Sequence, residues 1–339
     1  MQMRDALGAL MRREDLSFAE THQIMRQIMT GEASEPQVAA FLMGMAMKGE
    51  TAEEISAAAQ VMRELMTPVH LQADHVVDIV GTGGDGANLF NVSTAASFVV
   101  AAAGGHVAKH GNRGVSSSSG SADLFAVAGI HIDLDAEQAA RCIEQVGVGF
   151  MFAPNHHPAM RHAVVPRREM GVRTLFNILG PLTNPAGAPN QVLGVYAPEL
   201  VPLMAEVLRR LGSHHVLVVH AEDGLDEVSV AEPTRVAELR DGEIHEYVIT
   251  PEDLGIPRQS LDPLRVASAE DSLRLVEQAL KGEGPAADIV SLNAGAALYA
   301  ADVADSLKEG VALAQDAQAS KLPLEKLKEL TSFTRVFLQ

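Results

Sequence analysis

The sequence predicts an α/β protein, with a small N-terminal helical domain followed by a larger α/β domain that has a mostly parallel central sheet. Three observations predict this class. The first 70 residues carry repeated helix-capping signals. From Val76 onward, short β-branched runs alternate with helical segments, which is typical of crossover units in a parallel sheet covered on both faces. A chain of 339 residues is long enough for two domains and a sizeable core.

The helical domain is expected to span residues 1–70, completed by helices from about 157–188. Capping boxes begin at Ser17 and Thr51, and a serine before a Glu-Pro pair at position 34 is a third N-cap signal. Gly31 and Gly49 lie where these helices should end. Recurring methionines are interpreted as adaptable filling of a core or dimer contact; they are Met25, Met29, Met43, Met45, Met47, Met62 and Met66.

The α/β domain is expected to span residues 71–339. Its predicted strands are "VVDIV" from 76, "HVAKHG" from 106, "IHIDL" from 130, "VGFMFAP" from 148, "QVLGVYA" from 191 and "HVLVVHA" from 215. Helices are predicted at 92–105, 120–129, 135–147 and 198–212, then from 268 to 282 and onward. A hairpin is expected around Asp241-Gly242. Ligands of such sheets bind at the carboxyl ends of the strands.

Composition narrows the classes of partner. The chain has 44 acidic and 26 basic residues, a net charge of −18, which argues against a nucleic-acid or anionic-membrane surface. Its one cysteine, Cys142, allows no intrachain disulfide and is interpreted as a buried helical residue. The N-terminus lacks an apolar signal core and no run is long enough to span a membrane, so we expect a cytoplasmic protein.

A glycine-rich turn follows the first predicted strand. Gly81, Gly83 and Gly86 match the dinucleotide pattern G-x-G-x-x-G, but no Asp or Glu occurs between Gly86 and Ala122 to bind a ribose hydroxyl. No Walker lysine follows either, which excludes a P-loop ATPase. The formal charges in that window are those of "KHGNRG", which are positive. The turn is therefore predicted to bind phosphate through its backbone N–H groups.

Polar residues nearby extend the predicted anion site. Asn91, Ser93 and Thr94 stand at the start of the next helix, where N-capping explains one of them but not all three. Lys109 offers a point charge, and a second loop of small residues supplies the hydroxyls of 116–119 and 121.

A pair of adjacent carboxylates, Asp226 and Glu227, lies in the loop after the last predicted strand. Such pairs are commonly solvated surface acids. Beside a polyanionic ligand in an acidic protein they also suit Mg²⁺, which prefers a few protein oxygens together with water and phosphate oxygens.

Seven motifs in order resemble those of the anthranilate phosphoribosyltransferase family, over nearly the whole chain. They are "GTGGD" at 81–85, "FNVST" at 90–94, "KHGNR" at 109–113, "SGSAD" at 119–123, "HPAM" at 157–160, "RTLFNILGPLTNP" at 173–185 and "DEVS" at 226–229. The resemblance implies a nucleoside phosphorylase type of α/β domain and a homodimer formed through the helical domains. It also implies transfer of the phosphoribosyl group of phosphoribosyl pyrophosphate to anthranilate with Mg²⁺, which is a step of tryptophan biosynthesis. A further partner that the resemblance suggests is the glutamine amidotransferase subunit of anthranilate synthase.

The resemblance also implies site residues by position. Those for phosphoribosyl pyrophosphate are Gly81, Gly84, Asp85, Leu89, Asn91, Val92, Ser93, Thr94, Lys109, His110, Gly111, Asn112, Arg113, Gly114, Val115, Ser116, Ser117 and Ser121. Those for anthranilate are Gly81, His110, Asn112, Arg167 and Pro181, with His110 as a proton acceptor or an orienting group. Two Mg²⁺ ions are implied, one at Ser93 and Glu227 and one at Asp226 and Glu227. Leu89 departs from the family, which usually has threonine there.

Two other functions are compatible with the fold. A pyrimidine nucleoside phosphorylase shares the lysine-histidine pair, but that group typically has "KHSTGG" where this chain has "KHGNRG", and it lacks "RTLFNILGPLTNP". A catalytically silent binding protein, associated with nucleic acid, is opposed by the charge of −18 and by the intact Asp226-Glu227 pair.

Overall fold

The fold is taken from a computed structural model, which describes residues 1–114 and 118–338. Four helices form the N-terminal part: α1 (Met3–Met11), α2 (Phe18–Met29), α3 (Glu35–Lys48) and α4 (Ala52–Leu65). The predicted capping boxes at Ser17 and Thr51 are confirmed, because each hydroxyl accepts the backbone N–H three residues later. Gly49 follows α3 with a φ of 89°, a conformation that favours glycine.

The remainder of the described chain alternates strands and helices. The strands are β1 (Val76–Gly81), β2 (His106–Gly111), β3 (Val148–Phe152), β4 (Asn190–Gly194), β5 (His215–Ala221), β6 (Thr234–Arg240) and β7 (Glu243–Ile249). The helices are α5 (Val92–Ala102), α6 (Ser121–Val127), α7 (Ala136–Val146), α8 (Ala153–His156), α9 (Arg161–Met170), α10 (Phe176–Leu179), α11 (Leu200–Arg210), α12 (Ala269–Leu280), α13 (Gly284–Ala300), α14 (Leu307–Ser320) and α15 (Leu322–Arg335).

The strands form one seven-stranded sheet in the order β3-β2-β1-β4-β5-β6-β7. Neighbours from β3 to β5 are parallel, and β6 and β7 are antiparallel additions at one edge. The predicted fold class is confirmed. Because the chain leaves β1 first to one side and later to the other, the order reverses at β1, where such sheets bind ligands beyond the strand ends.

The turn between β6 and β7 is the predicted hairpin. Asp241 and Gly242 have φ values of 52° and 81°, and a two-residue hairpin turn with both central φ angles positive matches the twist of the flanking strands.

Glu238 on β6 joins the antiparallel edge of the sheet to α13 by hydrogen bonds. Its carboxylate accepts from His215 Nε2 at 3.0 Å, from the Tyr247 hydroxyl at 2.8 Å and from the Tyr299 hydroxyl at 2.7 Å. Burial alone would raise the pKa of this carboxyl, but the three hydrogen bonds lower it to about 2.

The strand predicted at Ile130–Leu134 is wrong. Ile130, Ile132 and Leu134 are buried as their alternation predicts, but the segment joins no ladder among the described residues. The Thr334 hydroxyl accepts the N–H of His131 at 3.1 Å. Alternating burial here reflects packing against the core and α15 rather than a sheet partner, which periodicity alone cannot distinguish.

Two hydrophobic clusters organise the molecule. One lies around the sheet with α5, α7 and α13, and the other joins α1–α4 to α9–α11 and to one face of β4 and β5. Met25, Met29 and Met45 are core residues of the second cluster, as predicted, whereas Met47 is 65% exposed. The segment around α9 therefore packs on the N-terminal helices, against α2 and α3.

The single cysteine, Cys142, is fully buried in α7, and burial raises the pKa of its thiol to about 12. Within residues 1–114 and 118–338, the helices are all too short or too polar to cross a membrane.

Candidate active site

The glycine loop begins where β1 ends and is fixed by neighbouring strand ends. Thr82 N donates to the carbonyl of Gly194 at 2.9 Å, and the Thr82 hydroxyl accepts from Tyr196 N at 3.1 Å. Gly83 N donates to Asp226 Oδ2 at 2.7 Å. Gly83 and Gly84 have φ values of 68° and 81°, so the turn depends on glycine.

Asp226 lies directly against the ends of β1 and β4. A Cβ added at Gly81 would overlap its carboxylate, and one added at Gly194 would overlap its backbone carbonyl. Glycine is required at both strand ends because the loop that carries Asp226 and Glu227 approaches the backbone so closely. The structure thus brings the loop of Asp226 and Glu227 against the glycine loop.

The ionised forms of Asp226 and Glu227 are disfavoured by their surroundings. Burial, followed by the nearby charge of Asp85, raises the pKa of Asp226 to about 7. Burial, followed by the charge of Asp226, raises the pKa of Glu227 to about 8. Asp85 itself accepts the N–H of Ala87 at 3.1 Å.

The acids therefore form a hard-oxygen cluster that a bound cation would stabilise in its charged form. No set of three His, Cys, Asp or Glu side chains with metal-binding geometry occurs within residues 1–114 and 118–338. A cation bound here would need oxygen atoms of water and of a ligand to complete its coordination shell, and such mixed coordination is typical of Mg²⁺.

Lys109 points from β2 toward the start of α5. Its Nζ donates to the carbonyl of Ile79 at 2.7 Å and to the Ser93 hydroxyl at 3.3 Å. Burial lowers the pKa of this lysine, opposed by the charges of Asp78 and Glu227. Lys109 thus lies between the carboxylates and the helix start.

The polar residues at the start of α5 do not all cap it. The Asn91 side chain donates to the carbonyl of Ser119 at 3.1 Å and accepts from the Ser272 hydroxyl at 2.6 Å. The Thr94 hydroxyl donates to that of Ser121 at 3.0 Å. These contacts tie the start of α5 to the second loop and, through Ser272, to α12. Val92 is the first residue of α5 and is buried, and Leu89 forms an isolated bridge with Arg265.

The second loop follows Gly111, the last residue of β2, and its described ends are closed by Asp123. This carboxylate accepts from Gly114 N at 2.8 Å, Gly120 N at 3.0 Å and Arg113 Nη1 at 3.1 Å. Asn112 Oδ1 accepts the N–H of Arg113 at 2.8 Å. The predicted residues Val115, Ser116 and Ser117 lie outside the described residues.

Comparison with known proteins identifies this arrangement. Residues 73–321 match the family model described as glycosyl transferase family, a/b domain, and residues 4–66 match its helical bundle domain. An anthranilate phosphoribosyltransferase from Chromohalobacter salexigens is 76% identical over 336 residues, covering 99% of this chain and 98% of the relative. The chain belongs to the anthranilate phosphoribosyltransferase family.

Solved structures of the family have the same fold. The anthranilate phosphoribosyltransferase of Thermus thermophilus is 46% identical with a TM-score of 0.92, covering 98% of this chain and 99% of that one. The Saccharomyces cerevisiae enzyme in complex with phosphoribosyl pyrophosphate and Mg is 26% identical with a TM-score of 0.89 over 98% of both chains. Its complex with 4-fluoroanthranilate has a TM-score of 0.88 at 26% identity, again over 98% of both chains.

In this phosphoribosyltransferase, His110 lies in a cluster of histidines. Its ring is 5.0 Å from that of His157, between centroids. Burial, followed by the charges that His157 and His156 would carry, holds the pKa of His110 well below its usual value. The imidazole is therefore neutral at pH 7. Beside it, the carbonyl of Pro181 accepts from Gln191 Nε2 at 2.8 Å.

Arg167 lies on α9 over the ring of Phe176, with its guanidinium carbon 5.1 Å from the ring centroid. Burial lowers its pKa. Across the described part of the chain, no carboxylate lies within ion-pair distance of this guanidinium. An aromatic contact without an acidic partner leaves its polar edge available to a ligand carboxylate.

Sequence reasoning assigned no role to four residues that shape the site: Asp78, Asp123, Arg173 and Ser272. Asp78 is a charged residue inside an apolar strand, a signal that could have identified it as a partner of Lys109; burial raises its pKa to about 6. Asp123 and Arg173 lie in motifs that carried the family resemblance. Ser272 has no local signal, because it reaches Asn91 only through the tertiary fold.

Proposed function

We propose that this protein transfers the 5-phosphoribosyl group of phosphoribosyl pyrophosphate to the amine of anthranilate, releasing pyrophosphate. One observation carries the proposal: a glycine loop lies on a half-buried carboxylate pair, next to Lys109 and a polar helix start. The ligands named for the yeast structures, phosphoribosyl pyrophosphate with Mg and 4-fluoroanthranilate, support both halves of the reaction.

The phosphoribosyl pyrophosphate site is proposed to lie between the two loops. Backbone N–H groups of Gly84 to Gly86 and of Asn112 would donate to phosphate oxygens, with Ser93, Thr94 and Lys109 beside them. Departure of pyrophosphate builds negative charge, so donors fixed before the reaction stabilise the transition state without reorganising. The anchoring of Gly83 by Asp226 and of Gly114 by Asp123 supports this role, because both loops are held before the ligand binds.

The carboxylate pair is proposed to hold two Mg²⁺ ions, one at Ser93 and Glu227 and the other at Asp226 and Glu227. Burial, followed by the charge of Asp85 on Asp226 and of Asp226 on Glu227, raises the pKa values of these acids, and this supports cation binding. When bound, the ions would neutralise the leaving pyrophosphate.

Anthranilate is proposed to lie near Gly81, Asn112, His110 and Pro181, with its carboxylate paired to Arg167. The aryl amine is neutral at pH 7, so its orientation toward the ribose carbon matters more than proton removal before attack. A protonated aryl amine is a much stronger acid than an imidazolium ion. Neutral His110 can therefore order the substrate and also accept the proton after bond formation.

The test is the loss of anthranilate fluorescence when phosphoribosyl pyrophosphate and Mg²⁺ are added, repeated with excess chelator. We expect a loss that stops on chelation. Absence of any loss by folded protein would overturn the proposal, and turnover of pyrimidine nucleosides with phosphate would then establish the phosphorylase alternative. Salt-sensitive retention of nucleic acid would instead favour the silent binding protein.

We further propose that residues 1–70 form the helical domain, completed by about 157–188, that residues 71–339 form the α/β domain, and that the helical domains make a homodimer. Met43 and Met47 are exposed one turn apart on α3, which supports an apolar contact there. Light scattering of the purified protein tests the dimer, and Met47→Lys is expected to weaken it. Cytoplasmic location and association with an amidotransferase subunit stay predictions, the latter testable by co-purification.

A further inference from the structure

Arg173 contacts the glycine loop from outside the sheet. It lies in the segment between α9, which carries Arg167, and α10, and its Nη2 donates to the carbonyl of Gly84. A Cβ added at Gly84 would come within 3.0 Å of that nitrogen. The guanidinium therefore reaches a backbone that only glycine leaves open at this φ.

The guanidinium is held in place by an aromatic ring. Its central carbon lies 4.0 Å from the centroid of the Tyr196 ring, a short cation–π distance. Tyr196 is itself joined to the loop, because its N–H donates to the Thr82 hydroxyl at 3.1 Å. Arg173 and Tyr196 thus act on adjacent parts of one turn.

The contact fixes the direction of one peptide group. In a planar trans peptide the carbonyl of one residue and the N–H of the next point in opposite directions. When Arg173 binds the carbonyl of Gly84, it therefore sets the N–H of Asp85 on the opposite side of the loop. The other anchors, the carbonyl of Gly194 and the carboxylate of Asp226, bind the N–H groups of Thr82 and Gly83 and do not act on the Gly84–Asp85 peptide.

The geometry points to Arg173 as a positioning residue, which orients the Gly84–Asp85 peptide as a hydrogen-bond donor for the phosphate groups of the donor substrate. This inference rests on the proposed function. It also links the two half-sites, since Arg173, which orients the glycine loop, lies in the segment that directly follows α9, the helix that carries Arg167.

Steady-state kinetics of the full-length enzyme test the inference. Arg173→Ala is expected to raise KM for phosphoribosyl pyrophosphate roughly tenfold, the lower end of what a hydrogen bond to a charged donor contributes. KM for anthranilate should change less than twofold. Arg173→Gln keeps an amide donor for Gly84 and should recover part of the loss, whereas Arg168→Ala, at an exposed arginine of α9, is the matched control and should behave as wild type.

Several results would overturn it. An unchanged KM for phosphoribosyl pyrophosphate, or an equal rise for both substrates, would remove the positioning role. Rescue by Arg173→Lys and not by Arg173→Gln would show that charge acts directly on the substrate. If Arg173→Ala fails to fold, Tyr196→Leu should produce the same selective rise while Tyr196→Phe does not. Inactivity of the wild-type enzyme would count against the proposed function and leave the kinetic comparison undefined, so the two failures are distinguishable.

Discussion

Replacing Gly81 with alanine would place a methyl group on the Asp226 carboxylate, which must then rotate away. That movement breaks the 2.7 Å hydrogen bond from Gly83 N. A hydrogen bond to a charged group contributes about 1.5–3 kcal/mol. If the bond is needed in the transition state, kcat/KM should fall about 10- to 150-fold, because each 1.36 kcal/mol corresponds to a factor of ten.

The assay is anthranilate fluorescence over a range of Mg²⁺ concentrations. Displacement of Asp226 should also raise the Mg²⁺ concentration needed for half-maximal activity. Gly8→Ala makes the same change in α1, where the nearest atom is an arginine nitrogen 3.7 Å away, and should leave both values unchanged. Gly81→Ala with kcat/KM within twofold of wild type and an unaltered Mg²⁺ requirement would refute the reasoning.

The remaining predictions concern the carboxylates, the proposed anthranilate site and the sheet edge. Asp226→Asn with Glu227→Gln should abolish turnover while the circular dichroism spectrum stays unchanged; normal activity would remove the metal argument. Arg167→Ala should raise KM for anthranilate roughly tenfold, and a rise confined to phosphoribosyl pyrophosphate would place Arg167 in the other half-site. Glu238 has a folded pKa of about 2, lower than in the unfolded chain, so its stabilisation is present above about pH 4.3 and is lost as pH falls toward 2. Glu238→Gln should therefore lower the free energy of unfolding by up to about 3 kcal/mol at pH 6 and by progressively less in acid; an equal loss at pH 6 and pH 3 in urea titrations would contradict this.

Local sequence patterns predicted the structure correctly where a segment's conformation depends on its own residues. The capping boxes at Ser17 and Thr51, the Asp241-Gly242 turn and the alternation that predicts a parallel sheet all depend on neighbouring residues. The segment Ile130–Leu134 shows the limit. Its alternation records one buried face, but a strand also needs a hydrogen-bonding partner, which a single sequence does not reveal.

In the candidate site, too, the residues that local motifs predict differ from those that only the tertiary fold brings in. Short motifs marked the glycine loop, Lys109 and the carboxylate pair, because their chemistry is visible in the residue types. The partners that orient them come from distant parts of the chain. Ser272 reaches Asn91 across 181 positions, and Arg173 reaches Gly84 across 89. Such contacts follow from the strand order and helix packing, so residue type and local spacing carried no signal for them.

The burial of Cys142 makes this chain convenient for site-specific labelling. Its thiolate is scarce at neutral pH, and its side chain is out of reach of a reagent. A cysteine introduced at an exposed position outside α3, such as Met11, would therefore be the one thiol to react with a maleimide dye, without removing the native cysteine. Energy transfer between labelled copies would then report whether two copies associate in solution.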